Sequence, residues 1–525
     1  MASSKSSFRF TILHNPRLAL TAFLLSMVFF TFGYDGGVIA GLLAMVPFNK
    51  QYGSGHGPHG LTMLTSTEIS LIVALPNSGC LLGLPLSAWL GDRIGRKKTL
   101  LIGCGFNAVG AAIQTAAPNL ATMVVGRWFT NVSIFMFITM ASNLLAEVSP
   151  SEIRGILTGL SIVLIDAAAI LSQGLNYAFS TVMAKYSFQI PLGIQIFFSV
   201  FIFLGILTVD DSATFYLTKG RDERALQALR TVRQGYEEAD ISAEFASLKA
   251  QNNLRQEEES VSWKDLFIGV NRRRSLIALS IANGQQLSGI AFATNYITLF
   301  LSTIGGSVSP FTLAMGAAVL AFGGAIVGLF VVDRVGRRVL ALTSFTALAI
   351  INLVVGVMGF LPLTNPAVPK TIAAFCCMFA FFYAAGFGPL TYIIAAEIPT
   401  ARLRNKSNSL TFFLVAIFAT MVTYVLPYIA NADAANLGPK TYLIFFVWMA
   451  GCIILTYLYL PETKGRSPAE LDEMFEAKLP ARKFKGYVSV LAVENFSVEL
   501  KAGAQGIETE GSQICMTNSR RMQVQ

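Results

Sequence analysis

Charge is what this sequence has least of. Asp, Glu, Lys and Arg make up 13% of its 525 residues, against about 25% in soluble domains, so a water-soluble globular protein is excluded. Histidine is almost missing. His14, His56 and His59 are the whole supply, placed at the chain's start and in its first polar loop, which leaves nothing for a buried metal or acid-base centre, and no enzyme and no metal are expected. Cysteine is sparse too. Residues 80, 104, 376, 377, 452 and 515 fall inside apolar runs or in the last residues, so no disulfide framework is available and all six are expected as free thiols. No Gly-Lys-Ser/Thr loop that would cradle a phosphate occurs, so ATP is not the driving force and no cofactor is implied.

What the chain has is apolar bulk: 54% hydrophobic residues, 40 Phe and 44 Gly, with a mean hydropathy of +0.58. The class is an all-α polytopic membrane protein, in which small residues let helices approach closely. A bilayer core of about 30 Å needs about 20 apolar residues per crossing. Twelve segments meet that: 18–42, 68–91, 99–117, 120–145, 156–179, 190–209, 275–304, 310–332, 339–361, 370–396, 406–430 and 440–460. They divide the chain into a cytosolic N-terminus (1–17), an N-terminal six-helix bundle (18–209), a polar linker with short amphipathic helices (210–274), a C-terminal six-helix bundle (275–460) and a tail (461–525) expected to be mostly flexible. Lys50, Lys185, Lys370 and Lys440 lie in loops on one side, Arg127 lies inside helix 4, and every other Lys and Arg flanks the opposite side. The positive-inside rule then places both termini in the cytosol. The net charge of +9 is thereby spent on topology, and nucleic acid is not expected as a partner.

The two bundles repeat one another. Asp92-Arg93-Ile94-Gly95-Arg96-Lys97 follows helix 2, and Asp333-Arg334-Val335-Gly336-Arg337-Arg338 follows helix 8; Glu147 and Arg154 follow helix 4, and Glu397 and Arg404 follow helix 10. Parallel six-helix repeats are the plan of alternating-access transporters, whose site sits at the midplane between the halves.

With these motifs stand Phe32-Gly33-Tyr34-Asp35, Gly126-Arg127, Gln285-Gln286-Leu287-Ser288-Gly289-Ile290, Gly388-Pro389 and Pro461-Glu462-Thr463-Lys464-Gly465. In this order and spacing, the chain from about 18 to 466 resembles the major facilitator superfamily and, within it, the sugar porter family, in the style of fungal members. The resemblance implies a uniporter or proton symporter for hexoses, pentoses, polyols or related solutes. One departure follows helix 6, where the family's Pro-Glu-Ser-Pro-Arg is Asp210-Asp211-Ser212-Ala213-Thr214.

Ionisable residues inside a span cost about 2.5–3.5 kcal/mol on insertion scales and need a partner or a function. Asp35, Arg127 and Asp166 are the three of interest. Asp35 and Arg127 are each seven residues from the outer ends of the predicted helices 1 and 4, so both lie about 10 Å below the outer surface and can meet. A carboxyl between a cation and low-dielectric surroundings switches its charge state when the pair loosens, and the resemblance assigns proton coupling to Asp35 and Arg127. The other reading is a static ion pair that locks helix 1 to helix 4. Asp166 stands where the family has an apolar residue, one turn beyond Ile162 on the same helix face.

For the solute, Gln285 and Gln286 offer amides that both donate and accept, which suits vicinal hydroxyls, and Asp166, Asn295, Tyr392 and Gln173 complete the candidate binding set. The family's set is thinned elsewhere: Ile162, Ala169, Ala291, Val415 and Ala419 stand where amides are usual, and Tyr392 replaces a Trp. A buried hydroxyl without a partner costs about 1–3 kcal/mol. A sugar or polyol therefore needs a rearranged pocket, and a less hydroxylated metabolite, organic acid or amine, moving inward or outward, is the alternative. A non-transporting nutrient sensor on the same fold is a third reading, with the short tail against it.

Asp92, Arg93, Arg96, Glu147, Arg154, Asp333, Arg334, Arg337, Glu397 and Arg404 form the candidate cytosolic gate. Bidentate Arg-carboxylate pairs there are expected to hold the inner ends of the two bundles together. The expected partners are a small solute, protons and the lipid bilayer. A functional monomer is expected, in the plasma membrane by first choice and a vacuolar or other endomembrane by second.

Overall fold

The computed structural model describes residues 15–56, 62–150, 153–234, 236–258, 262–306, 308–400, 403–466, 468–487 and 489. It is helical throughout, apart from a two-residue antiparallel ribbon, Gly55–His56 against Thr62–Met63, in the first outer loop.

Helix 1 runs Pro16–Leu42, helix 3 Arg96–Ala116, helix 4 Leu120–Val148, helix 5 Arg154–Phe179 and helix 6 Tyr186–Leu207. In the second bundle helix 8 is Pro310–Val335, helix 9 Arg337–Met358, helix 11 Arg404–Ala430 and helix 12 Tyr442–Tyr459. Their ends are set by local chemistry. Pro16 and Pro310 open helices 1 and 8 at the first turn, where no N–H is needed. Asn119 accepts from Thr122 N at 2.9 Å to cap helix 4.

Three crossings are interrupted. Helix 2 is Ser66–Asn77 followed by Cys80–Ile94, with Pro76 at the break. Helix 10 is Ala367–Phe382, a wider turn over Tyr383–Phe387, then Gly388–Glu397. Helix 7 is the largest correction to the sequence reading. Instead of one rod over 275–304 it is Gly269–Gln286, Ile290–Thr294 and Ile297–Ile304. The cause is Gly289, at φ 95° in the left-handed region, a conformation only glycine adopts cheaply. Asn352 Nδ2, donating to Ser288 O at 3.0 Å, satisfies one carbonyl freed by the break. Eleven other helices among the described residues are long and apolar enough to span a bilayer, and the broken helix 7 is the twelfth crossing.

The bundles meet along three seams: helix 5 on helix 8, the outer half of helix 2 on helix 11, and helix 1 on the outer part of helix 7. The inner half of helix 2 packs on helices 3 and 4 of its own bundle instead. The second and third seams bring the bundles together at the end where helix 1 finishes and helix 2 begins.

Between the two bundles, Ala213–Thr218, Asp222–Val232 and Glu238–Glu258 form the short linker helices. Arg233 ties them to helix 4, donating to Val148 O at 2.8 Å and to both Glu244 oxygens at 2.8 and 2.9 Å. The first part of the tail is packed. Pro468–Glu476 and Ala481–Gly486 are helical, Phe475 and Phe484 are buried against each other, and Arg274 of helix 7 pairs with Asp472 at 2.5 Å. Five cysteines are free thiols; Cys515 lies outside the described residues.

Candidate functional site: a buried ion pair, a polar cluster and two repeated collars

Asp35 and Arg127 face each other inside the first bundle, 5% and 3% exposed. Arg127 Nη1 and Nη2 lie 3.5 and 3.4 Å from the two carboxylate oxygens. That is long beside the usual 2.7–2.9 Å of a charge-assisted bond, so the pair is close but slack. Other groups complete it. Gln195 of helix 6 donates from Nε2 to Asp35 Oδ1 at 3.0 Å, and Gln114 of helix 3 donates to Gln195 Oε1 at 2.7 Å. Arg127 Nε donates to Ile72 O at 2.9 Å, a carbonyl near the break in helix 2. Five helices therefore converge on one carboxyl. The sequence reading missed Gln114 and Gln195, although an amide inside an apolar span is itself a signal, because it needs a partner there.

A second group of polar side chains gathers near helices 5, 7 and 10. Gln285, at the end of the first segment of helix 7, donates to Tyr383 OH at 2.6 Å, and Tyr383 sits in the wide turn of helix 10. Asp166 of helix 5 and Tyr392 are both within Coulombic range of that hydroxyl. Tyr392 is exposed, and its ring stacks on Phe412 with centroids 5.3 Å apart. Asp166 is half-buried, with neither a hydrogen bond nor a basic side chain reaching it among the described residues. Gln286 is half-buried without a hydrogen bond to a described residue, and Asn295 is half-buried at the second break in helix 7. Gln173 is engaged elsewhere: its Oε1 accepts from Asn176 Nδ2 at 3.4 Å, and Asn176 also donates to Gly37 O at 2.9 Å, joining helix 5 to helix 1.

At the ends of the bundles that carry the Asp-Arg-x-Gly-Arg motifs, each bundle has the same collar. Arg96 pairs with Glu147 at 3.2 Å, and Arg337 with Glu397 at 2.9 Å. Each pair links helices of one bundle. The expectation that they tie the bundles to each other is corrected accordingly: the ion pair forms between segments already adjacent in the same repeat. Arg93 lies over the Trp89 ring at 4.5 Å, Asp92 is exposed, and Arg334 is exposed with its carbonyl accepting from Lys464 Nζ at 2.6 Å. Arg404 is half-buried with Nε unpartnered. The side chains of Arg154 and Asp333 lie outside the described residues.

The departure after helix 6 resolves into an equivalence. Glu462, after helix 12, accepts from Arg337 N at 2.8 Å and Arg338 N at 3.2 Å, capping helix 9; Asp211, after helix 6, accepts from Arg96 N at 3.1 Å, capping helix 3. Each carboxylate sits against a glycine of positive φ, Gly336 at 99° and Gly95 at 101°. A Cβ on either would fall 2.7 Å from Glu462 Oε2 or 2.0 Å from Asp211 Oδ2. Burial pushes the Asp211 carboxyl above its ordinary value, its hydrogen bonds and Arg96 opposing.

Residues 21–475 match the family described as sugar (and other) transporter. The chain belongs to that family. Among curated relatives, a probable glucose transporter of Neurospora crassa is 29% identical over 462 residues, covering 85% of this chain and 77% of that protein. A major facilitator-type transporter of Aspergillus rugulosus is 27% identical, covering 85% and 84%. Among solved structures, a major facilitator proton:xylose symporter bound to 6-bromo-6-deoxy-D-glucose superposes with a TM-score of 0.71 at 17% identity, covering 88% of this chain and 99% of that one. An inward-open form of the Escherichia coli xylose transporter also gives 0.71, at 17% identity over 87% and 99%. The fold is therefore the twelve-helix major facilitator fold, and the protein is a membrane transporter of the sugar porter type.

Proposed function

We propose that this transporter carries a hydroxylated, sugar-class solute together with a proton, by alternating access between the two bundles. The observation that carries this reading is the slack, buried Asp35/Arg127 pair. A carboxyl set between a guanidinium, an amide and apolar helices changes charge when its neighbours shift, and such a change can be linked to which side of the cleft is open. Asp35 takes the proton from outside, Arg127 replaces the proton as its partner in the inward-facing state, and release to the cytosol resets the cycle.

The solute binds between the bundles at Gln285, Gln286, Asp166, Asn295 and Tyr392, with Gln173 at the edge. The amides lost to Ala291, Val415 and Ala419 leave the hydroxyls fewer partners on the helix 7 and helix 11 sides, and the Asp166 carboxylate offers two acceptors from the opposite bundle. The names of the relatives, a glucose transporter and a xylose symporter among them, support the sugar class. The cytosolic collars stiffen the inner ends of each bundle, so that each moves as a body. One chain holds both halves of the cleft and acts as a monomer, with both termini in the cytosol and the plasma membrane as its site.

Liposomes containing the purified protein test this directly. Under an inward proton gradient, labelled hexoses, pentoses and polyols are offered one at a time. Uptake of at least one above protein-free liposomes is expected; no uptake of any of them would remove the sugar-class assignment.

A further inference from the structure

Hydrogen bonds crossing from one bundle to the other cluster at the outer ends of helices 2 and 11. Helix 2 begins with a capping box: Thr65 N donates to Glu68 Oε2 at 2.8 Å and Glu68 N to Thr65 Oγ1 at 3.3 Å. That leaves the first helical N–H, on Ser66, without an intrahelical partner. Its acceptor comes from the other bundle. Asp433, in the loop after helix 11, accepts from Ser66 N at 2.7 Å with one carboxylate oxygen and from Ser66 Oγ at 2.6 Å with the other. Pro427 O, at 3.1 Å, is a second acceptor for Ser66 Oγ, which also accepts from Asn431 Nδ2 at 3.2 Å. Ser66 is 1% exposed, so these bonds are shielded on the helix 2 side, whereas Asp433 faces the outer solution. The contact continues down the same faces: Tyr428 OH donates to Thr67 Oγ1 at 3.1 Å and Ser70 Oγ to Tyr424 O at 2.8 Å.

The repeat does not supply this feature twice. The counterpart of helix 2 in the second bundle is helix 8, which begins at Pro310 and has no N–H at that position. The loop between helices 5 and 6, Ser180 to Lys185, has no carboxylate to offer. Among the described residues, a carboxylate on a helix N-terminus, favoured by the helix dipole, therefore joins the bundles on one seam alone. Outward opening must pull helix 2 from helix 11 and break it.

We propose that Asp433 and Ser66 form an outer latch that biases this transporter toward its outward-closed state. The pair positions the bundles and does not touch the solute. It rests on the alternating-access reading and adds a residue-level control of that equilibrium. Removing the latch favours the outward-open state by about tenfold, the equivalent of one charge-assisted hydrogen bond.

The test is a distance measurement across the outer face of the full-length protein in liposomes. Spin labels replace Met183 and Phe360, exposed residues in outer loops of opposite bundles, in a background with the native cysteines replaced. Asp433→Ala and Ser66→Ala are each expected to raise the long-distance population about tenfold relative to the short one. In the protein with its native cysteines, both substitutions are expected to lower the half-saturating external solute concentration more than they change the maximal rate, with Asp433→Asn falling between them and wild type. Two populations in wild type that neither substitution shifts, with unchanged half-saturation, would overturn the latch and leave alternating access standing. A wild type with one fixed outer distance, with or without solute, would count against alternating access itself.

Discussion

Replacing Asp35 by Asn separates coupling from transport, and the structure indicates how far each changes. Asp35 Oδ1 accepts the 3.0 Å bond from Gln195, and the carboxylate lies 3.4–3.5 Å from Arg127. An Asn side chain fills the same volume and keeps an oxygen for the Gln195 amide. Arg127 retains the Ile72 carbonyl at 2.9 Å. The variant should therefore fold, at a cost below the roughly 3–5 kcal/mol of stripping one partner from a buried pair outright. What disappears is the protonatable group. With one proton per solute, each unit of pH difference sustains about tenfold accumulation, because one unit is about 1.36 kcal/mol, and each 100 mV adds about 2.3 kcal/mol per charge moved. In liposomes with an imposed gradient of about one pH unit and no membrane potential, wild type should reach about tenfold accumulation. The Asn variant should only equalise the solute across the membrane. Counterflow without a gradient should persist in the variant and lose its pH dependence. Accumulation by the variant to the wild-type ratio would refute the assignment of coupling to Asp35.

Other consequences can be measured in parallel. Asp166→Asn keeps the shape of the polar cluster and removes a charge, so solute affinity should fall about tenfold for a lost charge-assisted acceptor while proton-driven accumulation survives; unchanged affinity for every transported solute would take Asp166 out of the site. Tyr383→Phe removes the acceptor that orients the Gln285 amide and should raise the half-saturation constant by about fivefold to tenfold, with the maximal rate less affected. Gly336→Ala forces a side chain into a positive-φ position against Glu462, costing about 1–2 kcal/mol and lowering the melting temperature in detergent; an unchanged melt would contradict the capping role of Glu462. For Asp211, folding raises the carboxyl's affinity for its proton, so its contribution is full below the unfolded value of about 3.9 and is lost as pH rises through the folded value. Asp211→Asn keeps an oxygen for the Arg96 N–H and removes that dependence, so the variant's melting temperature relative to wild type should climb as pH rises from the unfolded value to the raised folded one and level off above it. A flat difference would contradict the burial argument.

Much of this was legible from the chain because a bilayer leaves few options. Hydropathy marks the crossings, and depth arithmetic alone puts Asp35 and Arg127 at one level. The repeat of Asp92–Lys97 in Asp333–Arg338, and of Glu147 in Glu397, marks the collars. The failures have equally definite causes. Hydropathy averages side chains and cannot register a φ angle, so the break at Gly289 disappeared into an apolar run. Gln195 was passed over because helix 6 is apolar around it, and its partners, Asp35 and Gln114, are distant in sequence. The Arg96/Glu147 and Arg337/Glu397 pairs were read as bridges between bundles because composition tells which charges can pair and not which helices are neighbours. Asp433 and Ser66 carry no sequence signature, since the partnership depends on how one bundle docks on the other. Phe475 and Phe484, which anchor the first part of the tail, are two aromatics in a polar stretch and carry no pattern that marks them as packed.

The central claim is that a solute and a proton cross together. It is tested most directly by following external pH while a transported sugar is added to lightly buffered proteoliposomes held at zero membrane potential. Sugar addition should drive protons inward and alkalinise the medium in wild type, with no such change for Asp35→Asn. Sugar entry in wild type without any accompanying pH change would contradict proton coupling.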